Sequence, residues 1–488
     1  MKISTCHASA FLVTGCLLWT YGLSAAYGDP ASMIRLGRVA MTQDHPYAAL
    51  SCFRSANAEI DTHPSAYRAD RLSALSGIGY SALWVGNAHE AERAYRQGLL
   101  LAHSAADQKT MRIGLARALI DLGRPREAYQ LLQPIHKVSH EAALQSAIAA
   151  NLLAWNTLAW ASLQEAAPTG HYVGPLWLQR LYGKTRNYVD FILKPRVDIG
   201  YHYSSDSDHN INQIYDAGVT IPGAGLGDNA LGPTTWHVGY RQTQINDSDG
   251  QVGISALSGG WGASFDRSWQ YMVRGGVGTA RNWTFGQAEG QITYQPDDSW
   301  GLAVSVDRTP IRTFEAVQNH IIVNSISAGG FGRLRNVGTF AASYFHQAFS
   351  DGNQRNGVVA RVTPEFYSFD SIPVNIGVQG YFRDYSSGYV PFDGYFNPQH
   401  YREALGYVIY VQKFSPFWTM RLYAGFGSQT ANGTTTAAKD IFGTLTGLVS
   451  PYVQVSLTGG YTQVASAYGG GAGYHRSYVQ ANISIPVN

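Results

Sequence analysis

The chain is short of charge. Asp, Glu, Lys and Arg make up 14% of its 488 residues, against about 25% in ordinary soluble domains. A net charge of +2 offers no basic surplus, which argues against nucleic acid as a partner. Cysteine is scarce as well. Cys6 and Cys16 fall in the leader, so Cys52 stands alone in the remainder and no intramolecular disulfide can form. No Cys/His spacing suggests a metal. Beyond the leader there is no run of 18 apolar residues, which excludes a transmembrane helix. A chain that is 45% hydrophobic is not a disordered one.

Catalytic signatures are missing too. There is no Gly-x-Ser-x-Gly elbow, no His-Glu-x-x-His and no phosphate loop. The carboxylate pairs Asp206/Asp208 and Asp297/Asp298 lie in turn-like stretches and read as solvated loop residues, not a glycosidase pair. The expectation is a protein that is not an enzyme and uses no cofactor.

What is abundant is glycine and aromatic residues: 53 Gly, 31 Tyr, 19 Phe and 11 Trp. Residues 1–26 read as a signal peptide, with Lys2, an apolar stretch through Leu12, Val13, Leu17 and Leu18, and the small residues Ser24, Ala25 and Ala26. Cleavage is expected after Ala26. Val13-Thr14-Gly15-Cys16 resembles a lipobox and supplies the competing reading.

Composition then changes near residue 190. Residues 30–166 are rich in Ala, Leu and Arg, and they repeat. Leu36-Gly37, Ala49, Phe53 and Ala56 form one set. Ile78-Gly79, Gly86, Ala91, Tyr95 and Gly98 form a second, and Leu115-Ala116, Gly123, Ala128 and Leu132 a third. Their alanines are 42 and 37 residues apart, longer than the ideal 34 of tetratricopeptide repeats, which this pattern resembles. Small residues belong where helices cross closely, and the aromatic fills the gap to the next repeat. Ser139 to Gln164 reads as one further helix. Such repeats stack into a curved surface for protein segments or extended ligands. Residues 167–194 read as a linker.

Residues 195–488 alternate with period two. Trp418, Met420, Leu422, Ala424 and Phe426 share a face opposite Thr419, Arg421, Tyr423, Gly425 and Gly427. Leu302, Val304 and Val306 alternate with Ala303, Ser305 and Asp307, and Val453, Val455 and Leu457 with Gln454, Ser456 and Thr458. Runs of this length suit tilted strands crossing a bilayer. Turn signals divide them: Asn246 to Gly250, Pro296-Asp297-Asp298, Asp351-Gly352-Asn353 and Ala431-Asn432-Gly433. We count 15 segments, and because bacterial barrels take even strand numbers we expect about 16. Trp236, Trp261, Trp269, Trp283, Trp300, Phe417 and Trp418 read as interfacial girdles. The fold class is therefore α + β: helical repeats followed by a transmembrane antiparallel β-barrel.

Helical repeats before a C-terminal barrel resemble outer-membrane exopolysaccharide export proteins. The segment Asp393-Gly394-Tyr395-Phe396-Asn397-Pro398-Gln399-His400-Tyr401 resembles the Gly-Tyr-Phe-Ser-Pro-Gln-x-Tyr segment of cellulose synthase operon protein C, with Asn397 in place of Ser. Asp307-Arg308-Thr309-Pro310-Ile311 resembles a second short segment of that barrel. The resemblance, to a short-repeat version of that family, implies an outer-membrane pore with periplasmic repeats that dock periplasmic or synthase-complex proteins. Its cargo would be a polysaccharide chain, a cellulose-like glucan, and its surroundings outer-membrane lipid.

Tyr395, Phe396, Asn397, Pro398, Gln399 and Tyr401 are then candidates for polymer contact or a gate. Glu289, Gln291, Asp307, Tyr381, Arg383, Arg421 and Tyr423 are candidates to line the lumen. Aromatic faces suit the C–H patches of sugars, and short-lived hydrogen bonds suit their hydroxyls. From Asp190 onward 18 Lys and Arg face 21 Asp and Glu, a near balance that suits a neutral glucan. Poly-N-acetylglucosamine is the alternative cargo. A surface barrel acting as phage receptor or adhesin is the alternative role, favoured if Ser204–Pro233 is a long loop.

Overall fold

The computed structural model describes residues 29–64, 68–224, 231–334, 337–368, 374–388, 394–415, 418–450, 452–466, 469–470 and 473–487. The leader with its expected cleavage site, Asp393 and Phe417 lie outside the described residues. The chain forms two compact units. One runs through Arg124 and includes Gln130–Ile135; the other contains Pro125–Tyr129 and everything from His136 onward.

The first unit is helical: α1 (Pro30–Thr42), α2 (Pro46–Thr62), α3 (Arg68–Trp84), α4 (Ala88–Leu101) and α5 (Ala105–Asp121), followed by α6 (Pro125–Leu132). Proline at the first turn starts α1, α2 and α6, where the missing N–H costs nothing. Asn87 and Ser104 cap α4 and α5 by accepting from Glu90 N and Asp107 N. The second unit begins with α7 (His140–Leu152), α8 (Asn156–Ala166) and α9 (Leu176–Leu193).

One turn recurs between paired helices. Asp44, Gly86, Gly123 and Ala154 all take left-handed φ values, between 59° and 79°. In each, the N–H of the next residue returns to a carbonyl five positions back: His45 to Ala40, Asn87 to Ala82, Arg124 to Leu119 and Trp155 to Ala150, at 2.8–2.9 Å. This is the Schellman closure of a helix end. Five residues beyond each turn comes a fully buried alanine, Ala49, Ala91, Ala128 or Ala159. Four further on comes a buried large residue, Phe53, Tyr95, Leu132 or Leu163.

Two expectations are corrected here. Ser139 to Gln164 is not one helix but the pair α7 and α8, broken at Ala154, where a non-glycine residue occupies the left-handed position. The stretch expected as a linker, 167–194, carries the 18-residue helix α9.

The aromatic wedges behave as their spacing suggests. The Phe53 ring sits where a side chain on Gly37 or Gly77 would have to be. The Tyr95 ring does the same for Gly79 and Gly114. Each ring thus fills the crossing between the helix before it and the helix after it.

The barrel has sixteen antiparallel strands, as the even-number argument required: β1 (Arg196–Asp206), β2 (Ile211–Gly223), β3 (Thr234–Asp247), β4 (Gly250–Ser264), β5 (Trp269–Ala280), β6 (Trp283–Tyr294), β7 (Trp300–Pro310), β8 (Ile322–Leu334), β9 (Gly338–Phe349), β10 (Gln354–Pro364), β11 (Val374–Ser387), β12 (His400–Ser415), β13 (Trp418–Ala431), β14 (Thr434–Ser450), β15 (Val453–Thr462) and β16 (Arg476–Pro486). Tyr367–Ser368 adds a short pairing to β11. The first and last strands close the sheet, from Arg196 opposite Pro486 to Asp206 opposite Arg476. Closure satisfies every ladder without an edge, which is what a bilayer demands. The region Ser204–Pro233 is therefore not one long loop, since the end of β1 and all of β2 lie within it.

The alternation resolves into two faces. Val238, Leu257, Val277, Ile292 and Val304 point outward and are about half exposed or more, forming the apolar band that meets lipid. Their neighbours in sequence point inward. The Asn432-Gly433 turn has φ of 49° and 84°, the geometry of a two-residue hairpin whose twist matches its strands.

Candidate functional site

The inward face divides into a polar middle and two differently built ends. In the middle, charges pair across neighbouring strands. Arg241 Nε donates to Asp216 Oδ1 at 2.6 Å, and Arg274 lies 3.5 Å from Glu289. Glu289 stands opposite Asp307 in the β6–β7 register. These groups, with Asp198, His237 and Arg312, line a cavity of about 390 Å³. Gln291 lies further along the same face and donates to Thr293 Oγ1.

The opposite wall, β11 to β14, carries rings. Tyr423 stacks on Phe442 with centroids 4.4 Å apart and planes within 10°. Tyr381 lies under the Arg361 guanidinium at 5.3 Å. Tyr407 donates to Asp440 Oδ2 at 2.7 Å, and its ring covers Gly425, where a Cβ would not fit. Leu405, Tyr407, Ile409 and Ala438 are buried here, with Tyr381, Tyr423 and Phe442 packed on them. Arg421 is inward and exposed. By the strand register Glu289, Asp307, Tyr381, Arg421 and Tyr423 lie on the inward face, with Tyr381 and Tyr423 packed on the cluster of Leu405, Tyr407, Ile409 and Ala438. Gln291 borders a second cavity, discussed below, and Arg383 belongs elsewhere.

At the end of the barrel away from β1 Arg196, three loops fold inward. The first carries the short helix α10 (Phe314–Gln318). Phe314 and Val317 pack among Ile245, Val252, Ile254, Phe285 and Ile322. Trp283 joins them and stacks on His320 at 5.0 Å. Trp283 was expected in a girdle but faces inward on the same side of β6 as Phe285. Thr313 caps α10 and donates through Oγ1 to Gly394 O at 2.5 Å, which ties the first loop to the second.

The second loop is the expected gate segment. Gly394 takes φ of 72°, and Glu315 sits where its Cβ would lie. The Tyr395 ring stacks on Phe349 at 5.1 Å and 7°, and its hydroxyl donates to Asp351 Oδ2 at 2.7 Å. Asn353 Nδ2 donates to the same hydroxyl at 2.9 Å. Phe396 meets Tyr401 edge-on at 6.1 Å, and Pro398 is buried. Gln399 O accepts from Ser387 N. Arg355 is the centre: its Nη2 donates to Phe396 O at 3.0 Å and reaches Asn397 Oδ1 at 3.5 Å, while its guanidinium covers Tyr385 at 4.6 Å and Phe349 at 5.3 Å.

The third loop brings Val464, Ala465 and Gly470. Gln429 Nε2 donates to Gln463 O, and Ala465 N donates to Gln429 Oε1. Arg383 Nη2 donates to Ala465 O and pairs with Glu403 at 3.0 Å each. Glu403 is 2% exposed and also accepts from Tyr401 Oη. A buried carboxylate at such a site is held by its cation and hydroxyl partners, and removing either is costly. Arg383 therefore braces the plug.

Sequence reasoning missed Arg355, Phe349, Asp351, Tyr385, Glu403 and α10. Their main partners are distant in sequence: Phe396 is 41 residues from Arg355, Tyr395 44 from Asp351, and Gly394 81 from Thr313. The turn acids carry a second surprise. Asp298 is not solvated: both its oxygens accept backbone N–H groups, from Arg126 at 3.1 Å and Glu127 at 2.9 Å. Burial raises its carboxyl above the usual range, against those hydrogen bonds. Asp297 accepts from Ser299, which lowers it. Arg126 covers the Trp155 ring at 5.0 Å and donates to Arg267 O. Leu231 O accepts from Thr157 N and Leu158 N. Residues 125–129 and the α7–α8 turn are thus fixed to the barrel turns at the end where β1 begins. A second cavity, of about 310 Å³, lies there between Ala154, Asn156 and Ile192 on one side and Thr235, Gln270, Gln291 and Thr293 on the other.

Residues 238–443 match the family described as the PgaA membrane beta barrel domain. The match runs from within β3 to within β14 and covers less than half of the chain. No curated protein matches. Among solved structures, one titled "Bacterial polysaccharide outer membrane secretin" is similar at 14% identity with a TM-score of 0.49, over 61% of this chain and 99% of that one. CdiB from Acinetobacter baumannii is similar at 8% identity with a TM-score of 0.38, over 60% of each chain. The CymD monoaromatic hydrocarbon channel is similar at 8% identity with a TM-score of 0.33, over 62% of this chain and 91% of that one. These likenesses concern the barrel fold.

Proposed function

We propose that this protein is an outer-membrane pore for export of an exopolysaccharide, with helical, tetratricopeptide-like repeats in the periplasm. The observation that carries the reading is the inward face. One wall offers paired charges and amides, and the other offers stacked rings, all on a rigid closed sheet. A sugar chain needs both and must be held by neither too firmly. The match of residues 238–443 to a membrane-barrel family supports the same reading. Cellulose and poly-N-acetylglucosamine remain the candidate backbones. The repeats would dock periplasmic or synthase-complex proteins.

The segment Tyr395–Tyr401 is the core of a gate in this reading. It is packed against two other inward loops through stacking and hydrogen bonds, without a covalent tie. The receptor or adhesin reading fits less well. Among the described residues, the turns at the plugged end are short, and the three longer loops fold inward, where a partner outside could not reach them. The test is deletion of the gene, followed by assay of polymer outside the cell and in the periplasm. Polymer lost outside and retained in the periplasm supports the pore. Unchanged secretion overturns it.

A further inference from the structure

Residue counts over the whole barrel mix loops, lipid-facing positions and lumen. The strand register separates them. Inward acids are mostly matched: Asp216 by Arg241, Glu289 by Arg274, Glu403 by Arg383 and Asp198 by Arg196 at 3.6 Å. Asp440 accepts from Tyr407. Asp307, like Asp440, has no ion pair among the described residues, and it lies on β7, near the plugged end.

Arg355 and Arg312 lie at the plugged end without an ion pair among the described residues, and a second group of cations gathers at the other end. Lys413 continues the inward series Ile409, Val411 on β12, just before the register shift at Ser415. Arg421 stands opposite Val411 on β13, which makes Lys413 and Arg421 diagonal neighbours on one face. Helix α9 adds Lys184, whose ammonium feels that of Lys413. Burial first, and then this neighbour, hold Lys184 below its ordinary value. Arg180 lies one turn earlier on the same face of α9. Among the described residues none of these four makes an ion pair. Arg361, also inward, lies over the Tyr381 ring and makes no ion pair among the described residues. Like charges brought together without counterions cost stability. An anionic partner would recover that cost.

We propose that Lys184, Lys413 and Arg421, with Arg180 beside them, form a cationic collar at the entry of the lumen that takes up an acidic glycan, one bearing carboxylate or phosphate groups. The inference rests on the export reading and specifies its cargo. The acidic groups would be substituents on the candidate backbones, in place of the unmodified neutral glucan expected from overall charge. Lys413 and Arg421 lie on the inward face of the β12–β13 hairpin, so the ligand is one that enters the lumen. An anionic funnel partner gains local concentration and capture rate, both of which fall with ionic strength.

The test uses the full chain in detergent micelles and calorimetric titration with four hexasaccharides: hexagalacturonate, phosphorylated maltohexaose, maltohexaose and fully deacetylated chitohexaose. Either acidic probe should bind at least ~10-fold more tightly than the neutral one, and the difference should shrink as salt is raised. The triple variant K184Q/K413Q/R421Q should lose that preference. The variant K184R/K413R/R421K should keep it, and heat-dependent gel mobility checks that both barrels are folded. Equal binding of the neutral probe, tighter binding of the cationic one, or no binding by any of the four overturns the collar. Displacement by hexa-aspartate without any binding of the acidic sugars also overturns it, in favour of a protein partner. The gene deletion judges the export reading separately. If secretion fails in the deletion but the acidic probes show no preference, the pore stands and the collar falls.

Discussion

The helical repeats and the barrel plug both depend on aromatic rings, and they hold them in opposite ways. In the repeats, Phe53 and Tyr95 are wedged over glycines of two flanking helices. Nothing but unfolding releases them. In the plug, Tyr395, Tyr385 and Phe396 are held by stacking, by one guanidinium and by hydroxyl hydrogen bonds. Each of those contacts is worth about 1 kcal/mol and can be exchanged for water or sugar. A ring that must stay is packed against backbone; a ring that must move is packed against polar groups.

The contrast can be broken most sharply in the repeats. Gly77→Val or Gly114→Val drives a branched side chain into Phe53 or Tyr95 and should cost about 3 kcal/mol or more. Hydrogen exchange should show protection collapsing in α1–α4 or α3–α5 while the barrel strands stay protected. The same change in barrel strands would mean that the wedge is not local. The next largest effect belongs to Arg355→Ala in the plug. It removes two ring contacts and the bond to Phe396 O, and single-channel recording should show open events rising by about 10-fold or more. Unchanged conductance would show that the three loops are not held through Arg355.

Tyr395→Phe sharpens the comparison, because it keeps the ring and removes only the hydroxyl that Asp351 and Asn353 share. It should cost about 1 kcal/mol in the closed plug and raise open events several-fold, with the melting of the barrel unchanged. The smallest effect is one of pH. Glu92 loses stability to burial, but Arg96 and Arg124 more than offset it and hold its carboxyl below the usual range. Its contribution is therefore full above the ordinary glutamate value of about 4.3 and is lost as pH falls through the lowered one. Exchange protection in α4 should weaken in that acid range, and Glu92→Gln should abolish the dependence.

Much of the fold was legible because it is written locally. Alternation along β13, β7 and β15 assigns the two faces correctly, and the Asn432-Gly433 turn is visible as a dipeptide. The repeat wedges follow from glycine and aromatic spacing. The fourth helix pair was legible only in part. Its Ala159 and Leu163 keep the spacing of the other three, but its turn residue is Ala154, where glycine would have marked the break. The plug was the least legible part. The Tyr395–Gln399 segment stands out by its resemblance, yet what holds it does not. Asp351 is 44 residues away, Thr313 is 81 from Gly394, and Ala465 is 82 from Arg383. Loop closure over such distances leaves no periodic trace. The collar was hidden for a different reason: total charge says nothing about which side of a sheet each charge occupies.

The seam between β1 and β16 has a consequence for biogenesis. Arg196 opposite Pro486 joins residues 290 apart, and the register holds over eleven pairs. Every other strand pairing is between neighbours in sequence, so fifteen hairpin steps could zip without waiting. The last step cannot. Until β16 arrives, β1 and β15 both present a row of unsatisfied amides and carbonyls, a template for any stray strand. Contacts this distant in sequence also slow folding. The chain must therefore reach the membrane with one wound still open and be closed there, which makes its final strand the clock of the whole assembly.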